Sequence, residues 1–315
     1  MTAFDDAGLY DRGIETLVSS WEEYARGACG AALQRLSGVA AAVFPEEPER
    51  GVYNNAVLER HLAAAQRAGA LDAMEAAYAA AGVTRFAALV HERDEAMRRD
   101  LEGRGYTLDE STRAMGMALD DIRLPRPSLE VGASDWSEYL RVLGVPQGLL
   151  AGADPGAFHV LVARLDGEHV TTGMAFDHRG DCGIYNVTTL RHARRLGLGT
   201  ALTAALAHDA LARGCRTASL QSTAMAERVY AAVGFRDLGR LLEYAPPPRR
   251  QSTWRTALPP IRRSRSAASA GEGSRHEPSS SIWPSSRPVA TRPDRRARSR
   301  LPLECAASSS KRFSV

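Results

Sequence analysis

Cysteine is scarce in this 315-residue chain, and none of it is arranged for a metal site or a disulfide framework. The sequence has no Cys-x-x-Cys pair and no histidine at zinc-ligand spacing; its four cysteines are Cys29, Cys182, Cys215 and Cys305. This pattern excludes zinc-ribbon and disulfide-stapled proteins and fits a reducing compartment. We therefore predict a protein without a bound metal.

Long apolar runs are also missing. No stretch approaches the roughly 20 apolar residues that a membrane-spanning helix needs. The N-terminus carries acidic residues early and has no cationic start followed by an apolar core, which argues against a signal peptide. The sequence thus predicts a cytoplasmic protein without a membrane partner.

Positive charge is concentrated at the end of the chain. Fifteen basic and four acidic residues give residues 246–315 a net charge of +11, so residues 1–245 hold 25 basic and 33 acidic residues, or −8. An acidic body of this kind does not suggest a nucleic-acid enzyme. It mildly favours a cationic amine as a ligand.

Residues 246–315 are rich in Ser, Arg and Pro and have few apolar side chains. A segment with this composition cannot bury a core, so we predict a disordered basic tail. Its arginines, with Trp254, Trp283 and Phe313 among them, offer charge and stacking to nucleic acid. No periodic motif or folded reader accompanies them, and a dispensable extension is the favoured alternative.

A glycine-containing loop follows a strand-like run at 184–189 and opens an amphipathic helix that ends near Arg213. The loop consists of Arg194, Arg195, Leu196, Gly197, Leu198, Gly199 and Thr200. The first N–H groups of a helix lack intrahelical acceptors and lie at the positive end of its dipole, so they bind anions such as pyrophosphate. The glycines let a phosphate approach the backbone, and the arginines add positive charge. The spacing matches neither a dinucleotide fingerprint nor a P-loop.

A second pattern lies downstream of a strand-like run at 216–221. It predicts a short amphipathic helix that Ser222 or Thr223 caps and that ends at a glycine followed by an aromatic residue. In this order, Arg194-x-x-Gly197-x-Gly199 and Ala226-x-x-Val229-Tyr230-x-x-x-Gly234-Phe235 resemble the two signatures of the GNAT superfamily of acetyl-CoA-dependent acyltransferases. The resemblance covers about residues 129–245 and implies an α/β fold with a mixed sheet.

The resemblance also implies a role for each matched residue. Acetyl-CoA would be the co-substrate, with its pyrophosphate on the loop from Arg194 to Thr200. Its pantetheine amides would meet a splayed strand at Val187, Thr188 and Thr189. Tyr230 would be the general acid that protonates the leaving thiolate, and the alternative is that it is only a core aromatic residue. Thr223 stands where many members have Asn at the CoA arm, and we include it in the cofactor site.

No residue is assigned as the general base. Asp177, His178, Asp181 and Tyr185 lie on or near central strands, but residues 178–181 are also typical of a polar hairpin turn, which we favour. Many acetyltransferases of the resembling kind deprotonate the amine through water. Asn186 faces either a ligand or a hydrogen-bond partner within the fold.

The first 124 residues are predicted to form a unit of their own. Apolar runs predict strands at 38–45, 86–92 and 114–119, with helices at 62–80 and 95–101. Gly105-Tyr106 echoes Gly234-Phe235, which indicates a degenerate repeat. The Arg-x-x-Gly-x-Gly loop is missing from this segment, so we expect no second CoA site there. Its polar residues at 53–55 and 91–92 are expected to satisfy backbone groups rather than to face an acceptor.

Prolines at 125 and 127 mark a linker at 125–128. We therefore predict two GNAT-like halves in tandem, a degenerate one at 1–124 and an acetyltransferase domain at 129–245, followed by the tail. The predicted function is direct transfer of an acetyl group from acetyl-CoA to the primary amine of a small molecule or peptide. The alternative is a non-catalytic acyl-CoA-binding or regulatory protein of the same fold. The acceptor's identity and the oligomeric state have no signature in the sequence.

Overall fold

The computed structural model describes residues 4–46, 53–131, 136–144 and 153–248, and residues 1–249 form one compact unit. Apart from residues 246–248, the predicted tail lies outside the described residues, so its disorder stays a prediction. The described ranges contain six α-helices and ten β-strands.

The helices and strands follow one another in two similar series. The helices are α1 (Asp6–Arg26), α2 (Ala64–Ala80), α3 (Glu95–Gly103), α4 (Trp136–Leu143), α5 (Leu198–Ala212) and α6 (Glu227–Val233). The strands are β1 (Ala32–Leu36), β2 (Val39–Val43), β3 (Asn55–Leu58), β4 (Ala87–His91), β5 (Thr107–Ala118), β6 (His159–Leu165), β7 (Glu168–His178), β8 (Asp181–Thr189), β9 (Thr217–Ser222) and β10 (Arg236–Ala245).

The ten described strands form one sheet in the order β1-β2-β3-β4-β10-β5-β9-β8-β7-β6. The pairs β3–β4 and β8–β9 are parallel and the others are antiparallel, which confirms the predicted α/β fold with a mixed sheet. The order reads the same from both edges when β1 to β5 are matched with β6 to β10. This symmetry shows the predicted repeat in the topology.

The last strand of each repeat crosses to the other repeat. β10 lies between β4 and β5, and β5 pairs with both β10 and β9. Each half of the sheet is therefore completed by a strand from the other segment. The linker at 125–128 divides the sequence, but the sheet runs through both segments without a break, and the predicted domain boundaries stay predictions.

Helices cover both faces of the sheet. Leu202 and Leu206 of α5 join Leu220 of β9 in one apolar cluster, on what we call the outer face. Trp21 of α1 and Met174 of β7 belong to another cluster, on what we call the inner face. The two GNAT-like signatures, which lie at α5 and α6, are thus on the outer face of the sheet. Helix α1 of the first segment lies on the inner face.

The sequence patterns did not predict α1. The Asp5 carboxylate starts it by accepting a hydrogen bond from the backbone N–H of Gly8 at 2.8 Å. Twelve of its 21 residues are buried, and they include the unbroken run 16–21. Its apolar residues Tyr10, Ile14, Leu17, Trp21 and Tyr24 recur at helical spacing, so the sequence did carry a signal for this helix.

The two repeats end their last helix in the same way. Tyr106 N–H donates to the Leu101 carbonyl at 3.1 Å, and Phe235 N–H donates to the Tyr230 carbonyl at 3.2 Å. The glycine before each aromatic residue has a positive φ, +86° at Gly105 and +132° at Gly234. Leu101 of the first repeat therefore occupies the position of Tyr230 in the second, so the first repeat lacks the tyrosine that is predicted to be the general acid.

Most predicted elements are confirmed to within a few residues, but the predicted cap of α6 was wrong. The helix begins after Ala226, and the Ser222 hydroxyl instead donates to the Thr223 carbonyl. The polar residues of the first segment do satisfy backbone groups. His91 donates through Nε2 to the Leu238 carbonyl, and the Asn54 amide exchanges two hydrogen bonds with the backbone of Phe44.

Gly13 sets how closely α1 approaches β9, which gives a test of the packing. A Cβ at residue 13 would stand 2.7 Å from the Ser219 Cβ, whereas one at Gly69 in α2 would touch nothing within 4 Å. We expect Gly13→Ala to lower the free energy of unfolding by about 1–3 kcal/mol because the core is overpacked. Gly69→Ala should raise it by about 0.5–1 kcal/mol through helix propensity. Urea denaturation of both variants checks this, and equal effects would contradict the close approach of α1.

Candidate active site

A V-shaped opening separates β8 from β9. The two strands pair only at Asp181↔Thr217, Cys182↔Ala218 and Gly183↔Ser219, although β8 continues to residue 189 and β9 to residue 222. Backbone groups beyond the last pair have no partner on the neighbouring strand. The splay that the family resemblance implied around Val187, Thr188 and Thr189 is therefore present.

A β-bulge on the other side of β8 accompanies the splay. Tyr185 pairs with Met174 and Thr188 with Thr172, so two residues of β8 face the single residue Gly173 of β7. Asn186 in this bulge has a φ of +57°, in the left-handed region. Bulges bend a strand and increase its twist, which is consistent with β8 turning away from β9 here.

Asn186 is held inside the fold. Its Nδ2 donates to the Tyr139 hydroxyl of α4 at 2.8 Å. Burial raises the pKa of Tyr139 to about 12, although the Asn186 hydrogen bond opposes the shift. The reading of Asn186 as a hydrogen-bonded strand residue is confirmed, and the bond fixes the bulge at the mouth of the V.

The predicted anion loop lies at the open end of the V. Gly197 has a φ of +79° and precedes α5, whose first turn has no side-chain cap. A Cβ on Gly199 would stand 3.8 Å from the Thr189 Oγ1 and 4.0 Å from the Val229 Cγ1. The first turn of α5 is therefore placed between the end of β8 and helix α6, with N–H groups free of side-chain competition.

The arginines of the loop are exposed. Arg194 Nε donates to the Thr189 carbonyl at 3.0 Å, which ties the loop to the end of β8. Arg195 has a φ of +68°, so the chain turns sharply before the glycine. Leu196 is 59% exposed. Positive charge thus surrounds an uncapped helix N-terminus, which is the arrangement that binds phosphate groups.

Tyr230 is a buried residue of α6. Its ring is 7% exposed and shares an apolar cluster with Val187, Leu220 and Val229. Burial raises the pKa of Tyr230 to about 12. The phenol consequently keeps its proton throughout the neutral range and can donate it to a developing anion. Tyr230 and Val187, far apart in the sequence, belong to one cluster beside the V.

Thr223 lies in the exposed turn between β9 and α6. Its carbonyl accepts hydrogen bonds from the Ala226 N–H and the Ser222 hydroxyl, both at 2.9 Å. Met225 in the same turn is 79% exposed. The Thr223 hydroxyl is available for a ligand, and its contact with the CoA arm stays a prediction.

Asp177 and Asp181, two of the residues considered as a general base, are engaged elsewhere. Burial alone would raise the pKa of Asp177, but its bidentate pair with Arg213 (2.6 and 2.8 Å) lowers it below the ordinary value. Arg213 follows the last turn of α5, about 22 Å along a 15-residue helix from the anion loop. Asp181 accepts from the hydroxyls of Thr217 and Ser219.

The hairpin reading of residues 178–181 is also confirmed. Arg179 and Gly180 both have positive φ, as the turn requires. Burial lowers the pKa of His178, whose Nε2 lies 3.3 Å from the Ser19 hydroxyl. These contacts give no residue of the turn a path to the V.

The structure adds a charged cluster that sequence reasoning missed. Glu227 lies one turn before Tyr230, and its Oε1 is 3.0 Å from Arg113 Nε and 3.6 Å from Arg240 Nη2. Arg113 belongs to β5, so the first segment helps to hold the helix that carries Tyr230. No local pattern could reveal this contact, because the partners are far apart in the sequence.

The described residues contain no group of three His, Cys, Asp or Glu side chains that could hold a metal ion. None of the helices within the described ranges is long and apolar enough to cross a membrane.

Comparisons with known proteins agree with this geometry. Residues 122–235 match the model of the Acetyltransferase (GNAT) family. The fold is similar to a GCN5-related N-acetyltransferase from Kribbella flavida, with a TM-score of 0.59 and 18% identity over 78% of this chain and 97% of that one. It is also similar to a tandem GNAT protein from the clavulanic acid biosynthesis pathway, with a TM-score of 0.50 and 14% identity over 74% and 94% of the two chains.

A third similar structure is a GCN5-related N-acetyltransferase from Sphaerobacter thermophilus, with a TM-score of 0.50 and 17% identity over 66% of this chain and 76% of that one. No curated protein matches the sequence. At these identities the structures establish the fold alone. Residues 122–235 match the family model of the GNAT acetyltransferases, and the fold with its two repeats is similar to that of the tandem GNAT protein.

Proposed function

We propose that the protein transfers an acetyl group from acetyl-CoA directly to the primary amine of a small molecule or peptide. The observation that carries this proposal is the V between β8 and β9, which opens toward an uncapped helix N-terminus and lies beside a buried tyrosine. The predicted cytoplasmic location stays part of the proposal.

The proposed site binds acetyl-CoA from its pyrophosphate to its pantetheine arm. The N–H groups of Leu198, Gly199 and Thr200 bind the pyrophosphate, and Arg194 and Arg195 add charge. The backbone groups of β8 from Val187 to Thr189 that face the gap to β9 bind the pantetheine amides. Thr223 lies beside the arm at the start of α6. Nearly all these contacts use backbone groups, which a glycine-rich loop and a splayed strand expose.

The chemical step forms a C–N bond and breaks a C–S bond. The neutral amine attacks the thioester carbonyl, and the proton that the ammonium must lose passes to water. The nitrogen of the tetrahedral intermediate loses its second proton to water, and collapse expels the CoA thiolate, which takes a proton from the Tyr230 hydroxyl. Solvent then restores the phenol proton. Because burial raises the Tyr230 pKa to about 12, the donor is in place at every turnover.

A panel of primary amines tests this function. The purified protein should release free CoA thiol from acetyl-CoA only when an amine is added, and mass spectrometry should find the acetylated amine. Acetyl-CoA without amine gives the hydrolysis background. If the protein binds acetyl-CoA but acetylates no member of a broad panel, it is an idle CoA-binding or regulatory protein.

A further inference from the structure

Arg113 of β5 lies at the centre of the charged cluster and connects the two repeats. In the sheet it pairs with Ser222 of β9 on one side and with Arg240 of β10 on the other. Its Nε lies 3.0 Å from the Glu227 Oε1, and both atoms are buried from solvent. Its Nη1 forms an ion pair with Asp237. One side chain of the first repeat therefore joins the start of α6 to β10.

A β-bulge in β10 brings its two charged residues to the cluster. Between Asp237 and Arg240 the register against β5 shifts by one residue. The extra residue changes the alternation of side chains, so Asp237 and Arg240 both lie on the face that carries α6. Gly239 in the bulge has a φ of +102°, and its N–H donates to the Asp237 Oδ1 at 2.8 Å. The carboxylate that pairs with Arg113 thus also stabilises the bulge.

Glu227 contacts the sheet on the side of β9 that faces away from the V. The strand order is β5-β9-β8, so Arg113 and the V lie on opposite sides of β9. Tyr230, one turn after Glu227, shares its apolar cluster with Val187 of β8. Glu227 therefore does not reach the thioester, and any effect it has on the reaction must pass through α6.

Helix α6 depends on such contacts for its position. It has seven residues and no side-chain hydrogen bond at its N-cap, and helices this short are marginal by themselves. Burial raises the pKa of Tyr230, and no hydrogen bond or charge among the described residues contributes to the shift. The direction of the phenol is consequently set by the helix and by the apolar side chains around it.

We propose that Glu227 is a positioning residue for Tyr230. Arg113 and Arg240 hold its carboxylate, which fixes the start of α6 and aims the phenol at the leaving thiolate. The inference rests on the proposed function, in which Tyr230 is the general acid. A displacement of about 1 Å can cost a reaction about 10²-fold in rate. Through Arg113, the first repeat thus supports the chemistry of the second without a CoA site of its own.

The test compares Glu227→Ala with Glu95→Ala. Glu95 is likewise the first residue of its helix, α3, but its partner Arg99 lies in the same helix and both side chains are exposed. Both variants lose a carboxylate from a helix N-terminus, so the effect on the helix dipole is shared. We expect Glu227→Ala to lower kcat by about 10- to 100-fold with the Kd for acetyl-CoA unchanged. Glu95→Ala should change neither.

The same substitution in a Tyr230→Phe background shows whether the effect passes through the phenol. Once the donor is gone, Glu227→Ala should lower kcat no further, so the two losses should not add. An equal further fall in both backgrounds would mean that Glu227 acts on another part of the site and would overturn the proposal.

Hydrogen exchange gives a readout that needs no turnover. In the acetyl-CoA-loaded protein, Glu227→Ala should speed amide exchange in α6, while Glu95→Ala should leave α6 unchanged. Glu227→Gln keeps an accepting oxygen and loses only the charge, so it should show smaller effects. It decides the test if circular dichroism shows that Glu227→Ala does not fold.

Failure of the positioning role and failure of the proposed reaction give different results. Unchanged kcat and unchanged exchange in folded Glu227→Ala, with a lower kcat in Tyr230→Phe, would overturn the positioning role and leave the reaction standing. Full activity of Tyr230→Phe would overturn the general-acid role itself, whatever Glu227→Ala does.

Discussion

Gly199→Glu is expected to abolish acetyl-CoA binding in a protein that remains folded. A Cβ at residue 199 has room, with its nearest neighbours at 3.8 and 4.0 Å, so the backbone need not move. A carboxylate in the first turn of α5 is also favourable to the helix itself. The same carboxylate would occupy the place proposed for the pyrophosphate, and repulsion of like charges should raise the Kd by about 10²-fold or more.

Isothermal calorimetry with acetyl-CoA measures this effect, and Gly199→Gln is its matched control. Glutamine has the same bulk without the charge, so it should weaken binding less than glutamate does. Circular dichroism reports whether both variants fold. Undiminished affinity in a folded Gly199→Glu protein would mean that the loop is not the cofactor site.

Tyr230→Phe is expected to lower kcat by about 10²- to 10⁴-fold, the usual contribution of a general acid. The ring stays in its apolar cluster, so stability and acetyl-CoA affinity should hold. Only the donor to the leaving thiolate is lost. A fall in kcat without a change in Kd therefore separates a chemical role from a structural one.

Tyr106→Phe is the matched control for this variant. Tyr106 is also a buried tyrosine, but its hydroxyl donates to Glu75 in the first repeat, away from the V. Steady-state rates with an identified acceptor decide whether the role of Tyr230 is chemical or only structural. If Tyr230→Phe reacts as fast as Tyr106→Phe, then Tyr230 is a core aromatic residue and water protonates the thiolate.

Local patterns were sufficient for the elements that carry the proposed cofactor site. The glycines before α5, the apolar face of α6 and the glycine that ends it each depend on neighbours within a few residues. The repeat could also be read from Gly105-Tyr106 and Gly234-Phe235, because the same helix stop recurs. These features follow from backbone conformation and helical periodicity, which a sequence displays directly.

Two features of the fold were missed or misplaced. Helix α1 carries apolar residues at helical spacing from Tyr10 to Tyr24, so it could have been predicted from the sequence. The cap of α6 was predicted too early, because Ser222 makes its hydrogen bond to the next residue and the helix starts only after Ala226. Only the start of α6 departs from the local preference of its residues.

The sequence by itself indicated the class of the protein, the strands and helices around the proposed cofactor site, and the residues proposed to meet CoA. Only the tertiary structure decided that β5 and β10 exchange places and that Glu227 is held by Arg113. The reason is physical. Contacts between distant segments depend on how strands order themselves in the sheet and on which side chains then share a face, and neither is encoded in a local pattern of residues.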